Sequence, residues 1–135
     1  MSNEPTVRFF ALDRDEAKRV FAARVPEALR DVLQELWSNA DRAARNLEFG
    51  QPAVEYEAAI AARASHDPPA QALLTRGGRA LPASEGEDIY LLRPDLVAPL
   101  SQSPLLGDPG FAALRALFSE AAAIGGAVVI RYGAA

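Results

Sequence analysis

Cysteine is absent from this sequence of 135 residues, which excludes disulfides, thiolate metal sites and cysteine nucleophiles. The absence fits a reducing compartment. His66 is the only histidine, so any metal site would have to be built almost wholly from carboxylates. The acids are scattered, and the D-x-D-x-D-G spacing of a calcium loop does not occur. No stretch approaches the ~18 uninterrupted apolar residues of a membrane helix. The opening MSNEPTVRFF has no basic region followed by a long apolar run, so no secretory signal is expected. Positive charge is not in excess either: the net charge is −4 and the isoelectric point about 5.0. Every basic residue except Lys18 is arginine, and the arginines stand singly among Asp and Glu. Nucleic-acid binders usually present a basic face, because phosphate neutralisation supplies much of their affinity. These absences lead us to expect a cytoplasmic protein with no metal, no cofactor, no nucleic-acid partner and no membrane contact.

What is present is the composition of a folded domain. Half of the residues are hydrophobic and 24% are charged, and a chain of this length buries a core without staples. The arginine bias, with abundant alanine, matches the coding bias of a GC-rich bacterium. Residues 1–6 are polar and expected to be loose, leaving 7–135 as a single domain. In TVRFFALD, Val7, Phe9 and Ala11 alternate with Arg8, Phe10 and Leu12, which predicts a strand over 7–12 with apolar residues on both faces. Such a strand belongs inside a sheet. Asp13 and Glu16 have the spacing of a capping box before a first helix. Pro26 opens a second helix, whose stripe of Leu29, Val32, Leu33, Leu36 and Trp37 is the clearest periodicity in the chain. Trp37 is therefore expected to be buried between that helix and the sheet.

Gly50 reads as a break and Pro52 as the opener of an alanine-rich helix to about Ser65. Residues 66–82 read as loop, with a short helical turn at PAQALL. EDIYLLRP predicts a strand over 88–92. Pro94, Pro99, Pro104 and Pro109 recur every five residues, which predicts separate short turns at 94–98 and 99–103. Asp108-Pro109 starts a last helix carrying Phe111, Leu114, Leu117 and Phe118, and Gly125-Gly126 ends it. AVVIRYG predicts a strand over 127–132. The expected fold is α+β, a small sheet of about three strands covered by three to five helices.

Three segments carry a resemblance. VRFFALDRDEAKRV, PPAQALLTRGGRALP with the later DIYLLRPDLVAPL, and FAALRALFSEAAAIGGAVVIRY are similar to the YfbM-like family of small bacterial proteins of unknown function. The family's Lys-Ala-Trp-His run in a middle helix is missing; PAVEYEAAIAA stands in its place. The resemblance implies a fold and no established activity.

Four features invite a functional reading. His66 beside Asp67 has the composition of a general base and its orienting carboxylate. But neighbours in an extended loop point apart, and catalytic dyads are assembled from distant positions; no nucleophile signature surrounds Ser65. We therefore assign no catalytic residue. In TRGGR, Gly77 and Gly78 have the composition of a backbone anion nest, with Arg76 and Arg79 as a clamp for a carboxylate or phosphate. The acidic loop SEGEDIY (84–90) suits a basic protein partner. The leading expectation is a non-enzymatic accessory or binding domain, with a protein partner or self-association. The second is an acidic immunity-type inhibitor of a toxin, and the third is anion or small-metabolite binding at Arg76–Arg79.

Overall fold

The computed structural model describes residues 6–134. Residues 1–5 of the expected loose terminus lie outside that range, while Thr6 already begins a strand. In chain order the elements are β1 (Thr6–Leu12), α1 (Arg14–Ala22), α2 (Pro26–Ser38), β2 (Asn46–Pro52), α3 (Ala53–Ala61), α4 (Pro68–Leu74), β3 (Arg79–Ala80), β4 (Asp88–Leu92), α5 (Pro94–Leu100), α6 (Ala112–Ala123) and β5 (Ala127–Ala134). Short 3₁₀ turns stand at Ala40–Arg45, Ala64–His66, Leu105–Gly107 and Pro109–Phe111. The class is α+β as expected.

The sheet is larger than the expected three strands: five strands run in the order β2-β1-β5-β4-β3, every neighbouring pair antiparallel. The two additional strands lie at the edges. β2 contains Gly50, which the sequence marks as a break, and becomes a strand by pairing Asn46–Glu48 with Phe10–Arg8. β3 has only two residues and is defined by its pairing with Leu91 and Tyr90. The helix after Pro52 ends at Ala61, short of Ser65.

The alternation in β1 has the expected outcome. Val7, Phe9 and Ala11 face one side with Val128, Ile130 and Tyr132 of β5, under α3, α4, α5 and α6. Phe10 and Leu12 face the other side with Val129 and Leu91, under α1 and α2. Helices on both faces explain why β1 and β5 carry apolar residues at consecutive positions. Complete burial of a side chain such as Phe9, Phe10 or Phe118 stabilises by about 1.5–3 kcal/mol.

Local chemistry places the helices. Asp13 accepts from the Glu16 N–H at 2.8 Å and Glu16 Oε1 accepts from the Asp13 N–H at 2.9 Å, completing the capping box. The second Glu16 oxygen accepts from Arg42, a buried guanidinium that also donates to the Ala11 carbonyl at 2.7 Å. One carboxylate thus caps α1 and neutralises a buried charge against β1. Trp37 is half-buried, not enclosed as expected. Its ring meets Phe10 edge-on at 5.5 Å, and the Arg8 guanidinium lies 4.3 Å from its centre. Pro99 sits inside α5 instead of dividing it; it withholds a donor only from the carbonyl of Asp95, an exposed residue of the first turn.

One buried carbonyl ties three elements together. The Leu74 oxygen, at the end of α4, accepts from the Tyr56 hydroxyl of α3 at 2.6 Å and from the Tyr132 hydroxyl of β5 at 3.0 Å. Burial raises the pKa of both phenols above the ordinary 10.0. A raised phenol pKa stabilises the fold fully below pH ~10, and that contribution falls as pH climbs further because the unfolded chain ionises first. Tyr56→Phe and Tyr132→Phe are each expected to cost about 0.5–1.5 kcal/mol, since the other hydroxyl still serves the carbonyl. The double variant strands that carbonyl and should exceed the sum of the singles by about 1 kcal/mol, with a flatter alkaline stability profile. Urea melts of the four proteins at neutral and alkaline pH measure this; additive costs would contradict the shared acceptor.

Candidate functional site

The four residues of the expected anion site do not converge. Arg76 takes positive φ (68°), while neither Gly77 nor Gly78 does. The glycines serve close approach instead. A Cβ on Gly77 would lie 2.2 Å from the Ala72 carbonyl, and one on Gly78 would lie 2.7 Å from that of Leu91. The Arg76 guanidinium binds Glu57 at 3.0 Å, pairs with Asp88 and lies 4.4 Å from the centre of the Tyr132 ring. Burial works against its charge, but the two carboxylates outweigh burial and hold its pKa above the usual value. Arg79 goes to the opposite face of the sheet, 5.3 Å from the centre of the Phe21 ring. The two arginines cannot clamp one anion from opposite faces.

His66 is exposed, and Asp67 turns away from it. Asp67 accepts from the Ala70 N–H at 3.3 Å, as the cap of α4, and from the Ser103 hydroxyl at 2.9 Å. Asp108 faces Arg63 instead, and the hydrogen bond from that guanidinium is the chief cause of its lowered pKa. The acidic loop is largely spoken for as well: Glu87 pairs with buried Arg131 and Asp88 with Arg76, leaving Glu85 exposed. Among the described residues no group of three or more His, Asp or Glu is placed to hold a metal ion, and no helix is long and apolar enough to cross a membrane.

The structure gathers a different set around Phe21. On α1, Arg14, Lys18 and Phe21 recur at i, i+4 and i+7 and share one face; Arg19 turns aside to Glu35 of α2 at 2.6 Å. Phe21 is 42% exposed and stands between two grooves, each of about 370 Å³. The first lies between α1, Leu91-Arg93-Pro94 and the Gly125–Ala127 corner. Gly126 makes that corner, because a Cβ there would lie 1.9 Å from the Leu12 carbonyl. The second runs between the end of α1, with Phe21 and Arg24, and the chain from Arg79 to Pro82. Five cations thus line the two grooves that meet at Phe21: Arg14, Lys18 and Arg93 the first, Arg24 and Arg79 the second. Arg93 has an exposed partner in Asp95 at 3.2 Å. Among the described residues no carboxylate lies within ion-pair distance of Arg14, Lys18, Arg24 or Arg79. The one acid of the first groove, Asp13, is turned to the Glu16 N–H and to Arg45 at 3.8 Å.

An acidic chain thus carries a cationic face with an apolar centre, a surface suited to an anionic partner that also offers an apolar group. Sequence reasoning reached Arg79 but not the rest. The spacing of Arg14, Lys18 and Phe21 was a readable signal, since a large aromatic on the charged side of a helix has no use in the core. Comparison with known family models, curated proteins and solved structures finds no match for this chain.

Arg76→Ala is expected to cost at most about 1 kcal/mol, both of its ion pairs being partly exposed. Phosphate should raise the melting temperature of wild type and variant equally. A saturable rise that depends on Arg76 would restore the loop as an anion site.

Proposed function

We propose that the chain is a non-catalytic binding domain whose working surface is the Phe21 face, and that its partner is an acidic protein. The observation that carries this reading is the set of cations without carboxylate partners around an exposed Phe21. Arg42, Arg76 and Arg131 are paired with carboxylates, whereas Arg14, Lys18, Arg24 and Arg79 line the two grooves that meet at Phe21 without one; on a chain of net charge −4 they offer steering and an apolar anchor together. An acidic protein is favoured over a nucleic acid, because the remaining surface is more acidic than the chain as a whole and would repel a long phosphate backbone. The YfbM-like resemblance and a cytoplasmic setting belong to the same proposal, as an accessory domain of that kind. The immunity-type reading draws less support, since Glu87 and Asp88 of its acidic loop are engaged by Arg131 and Arg76.

Replacing Phe21 and Arg79 together by Glu tests the proposal. Both side chains are exposed, so the melting temperature should move little. Wild type used as bait in native lysate should retain a stoichiometric acidic partner that salt releases, and the double variant should lose it. Retention of the same proteins by both forms, or of none by either, contradicts the reading.

A further inference from the structure

The second groove runs beside the free edge of the sheet, and the hydrogen-bond pattern there shows what that edge offers. The Leu81 N–H donates to the Ile89 carbonyl at 2.9 Å, and the register of β3 on β4 pairs Ala80 with Tyr90 and Arg79 with Leu91. In an antiparallel pair, hydrogen-bonded and non-hydrogen-bonded positions alternate. Leu81 and Arg79 therefore turn their backbone groups toward β4, and Ala80 turns its N–H and C=O outward, at an exposed position. No protein group among the described residues bonds to them. Side chains alternate in the same way: Arg79 and Leu81 lie on the α1 side, with Arg79 against Phe21.

We propose that β3 receives an added strand, an extended acidic segment of the partner protein; this rests on the Phe21 face being the binding surface. The residue paired with Ala80 would supply the missing backbone hydrogen bonds. The residues on either side of it would project onto the α1 side, where Arg79, Arg24 and Phe21 border the groove. Acidic side chains at alternate positions meet the two open guanidinium groups, so the charge of the groove selects the segment and the edge fixes its conformation. The opposite edge is unsuited to this. β2 shifts register between its contacts with Thr6 and Arg8, and it ends at Pro52, which has no N–H; a bulge and an edge proline are devices that blunt a strand. At β3 the first residue without a donor is Pro82, beyond Ala80.

The test uses the full chain and a short peptide alternating glutamate and valine, followed by nuclear magnetic resonance and amide hydrogen exchange. The peptide should shift the resonances of Arg24, Arg79 and Phe21 and slow exchange at the Ala80 amide, which has no hydrogen-bond partner among the described residues. The same peptide N-methylated at every backbone nitrogen keeps its charges but donates no hydrogen bond, and should lose binding. Ala80→Pro removes the outward N–H without breaking a bond to β4, at a position where proline is tolerated on an edge strand, and should abolish binding of the unmodified peptide while moving the melting temperature little. If the methylated peptide binds equally and Ala80 gains no protection, strand addition is overturned while the Phe21 face stands. If neither peptide binds, strand addition is overturned, and the partner-retention experiment with the Phe21 and Arg79 variant decides the face independently. Protection of Ala80 in concentrated protein alone, with a doubling of mass, would make the occupant a second copy and overturn the acidic partner.

Discussion

The Leu74 carbonyl, held by two phenol hydroxyls, is the constraint on which the rest of the arrangement depends. A helix leaves its last carbonyls without intrahelical partners, and this one is buried where water does not reach it. Tyr56 and Tyr132 come to it from α3 and β5, so the end of α4 is fixed against both a neighbouring helix and an interior strand. The turn that begins there must then cross from α4 to the sheet edge within a few residues. Positive φ at Arg76 and the close approaches of Gly77 and Gly78 to Ala72 and Leu91 accomplish the crossing. Arg76 is left on the tyrosine side and Arg79 on the Phe21 side.

That division separates an internal ion-pair network from the face proposed to bind. Arg76, stacked on Tyr132 and bridging Glu57 and Asp88, stays on the side covered by α3 to α6. Arg79 reaches the face where α1 presents Arg14, Lys18 and Phe21. In the order β2-β1-β5-β4-β3, β1, β5 and β4 are paired on both sides, which leaves only β2 and β3 as edges. One edge is bulged and ends in proline; the other is short, exposed and beside the cations.

The legible parts of the fold are those where a local pattern and the tertiary outcome agree. The alternation in β1, the Asp13–Glu16 capping box, the stripe of α2 and the apolar runs of β4 and β5 all have local signatures that packing reinforces. β2 has only a brief one: Leu47 and Phe49 alternate with Asn46 and Glu48, but Gly50 and Pro52 argue against a strand, and pairing with β1 makes one. Two residues are too few for β3 to show a period at all. Pro99 misled because a proline breaks a helix only where its missing hydrogen bond matters. In the candidate site, the composition of TRGGR pointed to two arginines together, whereas the turn sends them to opposite faces. The face that does gather cations joins α1 to a loop far along the chain, a juxtaposition that no local spacing encodes.

The dependence of the β3 edge on the tyrosine pair is tested most directly by native-state hydrogen exchange in the Tyr56→Phe, Tyr132→Phe protein. The Leu81 amide, which bonds to Ile89 at 2.9 Å, reports whether β3 remains on the sheet. The account requires that amide to exchange faster than in wild type by about tenfold, equivalent to about 1.4 kcal/mol of local stability, while the amides between β1 and β5 keep their relative protection. Unchanged protection at Leu81 in a folded double variant would show that the edge, and the face beside it, stand without the shared carbonyl.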